Sequence, residues 1–345
     1  MTPEQEFRLK QQWPYEDKVA LAIDLARDFY KRVNGNVFCS VGGLDSLTLI
    51  KFLRKYVSKD IPGVSVSNLE DLSIQRIHRL LDNMVILKPY KTKVQVIKDY
   101  GYPVISKDKA GKIQLLQNPT EKNKTVRHAI MTGETGKQGG YRKGTRMQLP
   151  KKWLELFGGP ENEKYGTNYK TAPFKVSPNC CYYMKEKPAD DWAKKNKLNP
   201  YMGLMASEGG QRQKALMKHG CNYYGKTVTR SCPFATFKRN DILQLAIDLE
   251  IPVPEIYGEI AMQPDGTLET TRAKRTGCSM CGFGIHIEKR PHRFDRLRED
   301  NPKEWVFWMY KMGWGKVLDY IGVAWEDEYQ EERQLTLDFT PGVTL

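Results

Sequence analysis

The chain has 345 residues and carries 55 Lys and Arg against 41 Asp and Glu, a net charge of +14. That length can bury a full α/β core with room for a second part, and the basic excess suits a polyanionic partner, whether nucleotide or nucleic acid. No apolar run approaches a membrane span and Met1 to Lys18 is polar, unlike a signal peptide, so the expectation is a cytoplasmic protein; seven cysteines, an odd number, argue for reduced thiols or a metal centre over a disulfide framework.

In chain order, residues 1–33 hold a helical pattern, with Val19, Ala22, Ile23, Leu25, Ala26 and Phe29 on one apolar face. Val37 and Phe38 then read as the end of a buried strand that breaks at Gly42 and Gly43. Asp45 and Ser46 read as the capped start of a helix running to about Tyr56. Such a turn can hold an anion, because glycine lets a phosphate approach the backbone and the helix start offers N–H donors. An ordinary tight strand-to-helix turn explains the same residues. Neither G-x-x-x-x-G-K-[ST] nor G-x-G-x-x-G is present.

Residues 63–67 predict a second strand, the stretch around Ile74 to Leu81 a helix, Met84 to Leu87 a third strand, and Lys93 to Tyr100 another helix ended by Gly101 and Pro103. Strands alternating with helices predict an α/β fold with a doubly wound, mostly parallel sheet and a ligand at the carboxyl ends of its strands. Four parts are expected: a nucleotide-binding half over 1–106, a basic flexible insertion over 107–152, a metal- and ligand-binding part over 153–290, and C-terminal helices with a tail over 291–345. The insertion holds twelve basic residues against three acidic ones. It reads either as a segment that orders on an anionic partner or as a solvated loop.

Cys180 and Cys181 are adjacent, and Cys278 and Cys281 form a C-x-x-C between Gly277 and Gly282. Four sulfurs fit zinc or an iron–sulfur cluster, and unliganded thiols are the plain alternative. Adjacent cysteines can serve one centre only where the backbone kinks. Cys39, Cys221 and Cys232 read as packed thiols, although Cys232, between Ser231 and Pro233, is also a candidate nucleophile. Residues 302–323 are rich in large apolar side chains and read as helices packed on the sheet.

Val41-Gly42-Gly43-Leu44-Asp45-Ser46 resembles the S-G-G-x-D-S loop of the PP-loop superfamily, which includes the ATP pyrophosphatases and the phosphoadenosine-phosphosulfate (PAPS) reductases. Val41 stands where that motif has its first Ser, and Leu44 where the reductases often have Lys. Cys-Cys followed far downstream by C-x-x-C is similar to the adenosine-phosphosulfate (APS) reductases, which carry a [4Fe-4S] cluster beside the sulfonucleotide. Met205 to Arg212, Ser231 to Phe234, Asp241-Ile242, Ile251-Pro252 up to Tyr257, and Arg275 to Cys278 follow the order of further motifs of the family, with Phe237 where Trp is usual.

The resemblance implies ATP or APS/PAPS at Ser40, Gly42, Gly43, Asp45 and Ser46, with Asp45 and Ser46 helping to place Mg2+ and pyrophosphate. It implies Arg212, Lys214, Lys274 and Arg275 on phosphate or sulfate oxygens, Lys185 near the cluster, and Cys180, Cys181, Cys278 and Cys281 as its ligands. Asn68 and Glu70 are candidates for ribose or base contact, with helix capping by Asn68 or Asp71 as the alternative. Three functions remain open. One is sulfonucleotide reduction with an electron-donor protein, although no cysteine follows Cys281 to act as the usual nucleophile. The second is ATP-dependent sulfur transfer to DNA or RNA from a sulfur donor, as in the DndC phosphorothioation proteins. The third is a non-catalytic nucleotide- or redox-sensing nucleic-acid-binding protein. Gln334, Leu337 and Phe339 resemble the peptide that docks DNA enzymes on the sliding clamp, and an added edge strand explains them equally well.

Overall fold

The computed structural model describes residues 1–67, 69–136, 147–159 and 170–326, so Asn68, residues 137–146 of the basic segment, and Gln334, Leu337 and Phe339 lie outside the described residues. The chain divides into two compact units, each assembled from separate stretches: Met1–Thr92 with Cys181–Ser279, and Lys93–Cys180 with Met280–Leu345. The strands in chain order are β1 Val37–Ser40, β2 Gly63–Val66, β3 Met84–Leu87, β4 Val104–Ile105, β5 Asn199–Tyr201, β6 Asn222–Tyr224, β7 Thr229–Ser231, β8 Ile260–Met262, β9 Leu268–Thr270 and β10 Gly282–Phe283.

The first unit is built on a six-stranded sheet of order β3-β2-β1-β5-β7-β6. All neighbours are parallel except β6 and β7. Side chains alternate across β1: Val37 and Cys39 enter the main core, and Phe38 enters a second cluster with Val64 and Ala193. The main core is filled by Ala22, Ala26 and Phe29 of helix α2 (Tyr15–Arg32), which follows helix α1 (Pro3–Lys10), by Leu47, Ile50 and Leu53 of helix α3 (Leu44–Tyr56), and by Ile242 and Leu245 of the helix Arg239–Asp248. Ala193 belongs to the helix Lys187–Asn196, so both sheet faces are covered and the sheet is doubly wound.

Strand order reverses direction at β1. Connections run from β1 out through β2 to β3 on one side, and β5, β7 and β6 lie on the other. Ligands of such sheets bind outside the carboxyl ends of the strands at this switch point, here the crevice between the loops that leave β1 and β5.

The second unit contains the parallel ladder of β4 with β10, in register Gly282 to Val104 and Phe283 to Ile105. Around it pack Ile113, Ile130, Trp153, Phe157, Phe294, Trp305, Trp308 and Trp314. Gly282 is required at the ladder, since a Cβ there would meet the Trp314 ring at 2.7 Å and the Pro103 carbonyl at 2.8 Å. The segment read as a flexible insertion is helical over Lys107–Gln117 and Lys124–Thr132 and buries Ala110, Ile113, Ala129 and Ile130. Its charge masked a 3.6-residue apolar spacing. Residues 302–323, expected on the central sheet, instead supply Trp305, Trp308, Trp314 and Leu318 to this second core.

Candidate nucleotide loop and thiol group

The loop after β1 is shaped by Ser46. Its hydroxyl accepts the Gly42 N–H at 2.7 Å and donates to the Gly43 carbonyl at 2.9 Å. The expected caps Asp45 and Ser46 lie inside the first turn; Gly43 is the N-cap, without a side-chain cap. Tyr257 closes the other side, its hydroxyl accepting the Leu44 N–H at 3.2 Å and lying 2.7 Å from the Thr276 hydroxyl. A Cβ on Gly43 would collide with that tyrosine oxygen and stand 3.1 Å from Thr276 Oγ1. Behind the loop, buried His78 donates from Nε2 to the Gly42 carbonyl at 2.8 Å. Burial pulls the His78 pKa below its ordinary 6.5, the bond to Gly42 opposing it. The backbone N–H groups of Gly43 and Asp45 take no partner among the described residues and remain available to an anion.

The loop after β5 approaches from the other side of the crevice. A Cβ on Gly203 would lie 3.4 Å from the Asp45 carbonyl. This loop turns through Ala206–Glu208 into the helix Gly210–His219 and is tied to the loop after β7 by Ala206 N–H to the Ala235 carbonyl at 2.9 Å and Ser207 Oγ to the Phe237 carbonyl at 2.9 Å. Mostly buried Glu208 pairs with Arg212, and Arg275 Nη1 stands 3.9 Å from the same oxygen. Burial raises the Asp45 pKa; Arg239 and Arg275 oppose this and Glu208 adds to it, so these charges share one neighbourhood.

Arg239 is the residue the sequence reading missed. It makes a direct ion pair with Asp45. The one available signal was its place at the first position of a helix, where the dipole disfavours a cation. Asp45 therefore already meets a cation of the chain, and Ser46 is spent on the loop. Lys274 pairs with Glu269 at 2.7 Å instead, and Lys214 is exposed on its helix, with no described contact bringing it to the loop. Ser40 ends β1, half-buried.

Glu70 links the loop to the thiols. Its Oε1 would lie 3.4 Å from a Cβ on Gly42, and the same oxygen accepts from Lys185 Nζ at 2.5 Å. Helix α4 (Leu72–Leu80) is capped by Asp71, whose carboxylate accepts the Ser73 N–H at 2.8 Å, which leaves Glu70 to this ion pair. Burial works against the Lys185 charge, but Cys278, Glu70 and Cys181 outweigh it and the net shift is upward. Lys185 sits in a π-helical turn, Tyr182–Glu186, directly after Cys181, one wide turn further on.

Cys181 and Cys278 belong to the first unit, Cys180 and Cys281 to the second. Cys180 and Cys181 stand in a helical turn, Asn179–Cys181, where successive side chains diverge by about 100° and not to opposite faces as in a strand. Among the described residues no three of His, Cys, Asp and Glu are grouped as a metal site. In the first unit the charges of Cys278 and Cys181 act on the Lys185 ammonium, so these three groups share one electrostatic neighbourhood.

Cys232 is fully buried among Phe7, Ala206 and Leu216, and burial pushes its thiol up to about 11 despite the Arg230 guanidinium 2.8 Å from its sulfur. Cys221, its neighbour across β6 and β7, is pushed up to about 12 by burial. Neither is a ready nucleophile near neutral pH. Two motif residues prove architectural. Asp241 accepts the Lys238 N–H at 2.7 Å, capping its helix, and pairs with buried Lys18 at 2.7 Å. Phe237 stacks on Phe234 in the core with centroids 4.8 Å apart.

No family model matches the chain, and no curated protein matches it. Similar solved structures include an NAD+ synthetase from Burkholderia pseudomallei, at 13% identity and TM-score 0.34 over 88% of this chain and 93% of that one. Another is the U34-tRNA thiolase NcsA from Methanococcus maripaludis with its [4Fe-4S] cluster, at 13% identity and TM-score 0.33 over 89% and 80%. Scores of this size do not establish a shared fold.

Proposed function

We propose that the chain is a PP-loop enzyme of sulfur chemistry that binds ATP or an adenylyl-sulfate at the Gly42-Gly43 loop, next to a [4Fe-4S] cluster on Cys180, Cys181, Cys278 and Cys281. The observation that carries this reading is Glu70, whose carboxylate lies within 3.4 Å of where a Cβ on Gly42 would stand and pairs with Lys185, an ammonium on which the charges of Cys278 and Cys181 act. A glycine loop that would hold the nucleotide and cysteines that would hold the cluster, linked through the Glu70–Lys185 ion pair, suit chemistry that couples nucleotide activation to sulfur. The unpartnered N–H groups bind phosphate, Arg212 and Arg275 flank it, and Lys185 offsets thiolate charge. When bound, the cluster would supply electrons or a coordination position for sulfur.

Of the two enzyme readings, ATP-dependent sulfur transfer is favoured over sulfonucleotide reduction by the burial of Cys232, which is packed among Phe7, Ala206 and Leu216, and by the lack of any cysteine after Cys281 to attack sulfate sulfur. DNA or RNA as acceptor rests on the net charge of +14.

The test is anaerobic purification with iron, sulfide and visible-spectrum analysis of the wild type and Cys278→Ser, followed by ATP–pyrophosphate exchange and sulfite-release assays. About four irons per chain, lost in the variant, with exchange and no sulfite, is the expected result. Iron-free protein without exchange would leave a nucleic-acid-binding protein as the better reading.

A further inference from the structure

We propose that Arg239 is a phosphate ligand of the glycine loop, holding Asp45 with one arm of its guanidinium and the nucleotide with the other. The inference rests on the nucleotide reading above and adds to it a residue that no motif marks.

Four observations carry it. The loop has no cation of its own, because Leu44 is apolar and buried and no Lys or Arg lies between Val37 and Ile50. Arg239 pairs with Asp45, in the first turn of α3, which places the guanidinium at the helix end whose Gly43 and Asp45 N–H groups have no partner among the described residues. Its Nη1 serves Asp45, while Nη2 is buried and has no hydrogen-bond partner among the described residues. A buried charged donor without an acceptor is costly, and native structures keep such groups where a ligand or water completes them.

The fourth observation is position. Arg239 opens its own helix, where the dipole makes a cation unfavourable, so helix stability does not account for it. The side chain as a whole is 34% exposed while Nη2 itself is buried, so a phosphate bound there replaces the protein atoms that now cover that nitrogen. Arginine also suits the double task. Its planar fork presents five donors in fixed directions, enough for a carboxylate and a phosphate together, whereas a lysine ammonium is a single point charge. Neighbouring Arg212 and Arg275 are already directed at Glu208.

Calorimetric titration with inorganic pyrophosphate and with ATP, without divalent metal, tests this on wild type, Arg239→Ala, Arg239→Lys and Asp45→Asn, with folding followed by circular dichroism. The wild type is expected to bind both. Arg239→Ala should weaken each by about tenfold to a hundredfold. Arg239→Lys, which keeps the charge and guards against misfolding of the alanine variant, should recover only part of that loss. Asp45→Asn should bind pyrophosphate as well as the wild type or more tightly, because it releases the guanidinium. Wild-type binding that is unchanged in Arg239→Ala overturns the assignment alone, as does equal weakening by Arg239→Ala and Asp45→Asn, which would make Arg239 a prop for the loop. Failure of the wild type to bind either compound overturns the nucleotide reading and this assignment together.

Discussion

Lys185 donates to Glu70 at 2.5 Å, and the charges of Cys278 and Cys181 act on the same ammonium. Removing the carboxylate should commit the ammonium to the sulfurs. In metal-free, reduced protein, Glu70→Gln is expected to speed alkylation of Cys181 and Cys278 by iodoacetamide several-fold, and Lys185→Gln to slow it, because only the thiolate reacts. Peptide mass spectrometry gives the rate at each cysteine. Equal rates in all three proteins would separate Lys185 from the thiols.

Gly43 is held by space and not by backbone angle, since its φ is −76°. Gly43→Ala should destabilise the protein by about 1–3 kcal/mol and weaken nucleotide binding, because the new methyl collides with the Tyr257 hydroxyl. Tyr257→Phe removes that oxygen. The double variant should therefore recover a large part of the loss, and urea denaturation of all four proteins measures the coupling. Additive effects would mean that the loop, not the tyrosine, refuses the methyl.

Period and punctuation carried much of the fold. Met84–Leu87 and Lys93–Tyr100 fall where apolar spacing puts them, and the Gly42-Gly43 break marks the turn after β1. The second unit was hidden because its stretches, Lys93–Cys180 and Met280–Leu345, are far apart in sequence, and a local pattern carries no information on which distant segments share a core. The site was half legible for the same reason. Glycines, carboxylates and cysteines announce themselves by type, but Arg239 meets Asp45 across 194 residues and Tyr257 reaches Leu44 across 213, and neither spacing is periodic. Asp241 shows the converse: a motif residue whose described contacts are a helix cap and an ion pair with Lys18.

That ion pair joins α2 to the helix Arg239–Asp248 within the core, with side chains 3% and 10% exposed. Lys18→Met leaves a buried carboxylate with its helix-capping bond alone, and is expected to cost about 3–5 kcal/mol by urea denaturation at pH 7. Because Asp241 also positions the first turn that carries Arg239, nucleotide affinity should fall together with stability. A loss under about 1 kcal/mol would show that water replaces the ammonium.

His78 supplies a pH dependence whose sign follows from burial. The folded protein holds the ring neutral, with Nε2–H on the Gly42 carbonyl, and its pKa lies below the ordinary 6.5. A group depressed in this way binds protons more readily when unfolded, so its contribution is complete above pH 6.5 and is lost as pH falls through the folded value. Stability is expected to drop between pH 7 and pH 5, with the loop after β1 loosening first because protonation acts at Gly42. His286, also lowered by burial, acts in the same direction in the second unit, so the wild type alone does not isolate His78. His78→Gln keeps a side-chain donor without a titrating ring. Its urea midpoint should therefore fall less than that of the wild type over this range, and parallel falls in the two proteins would assign the effect elsewhere.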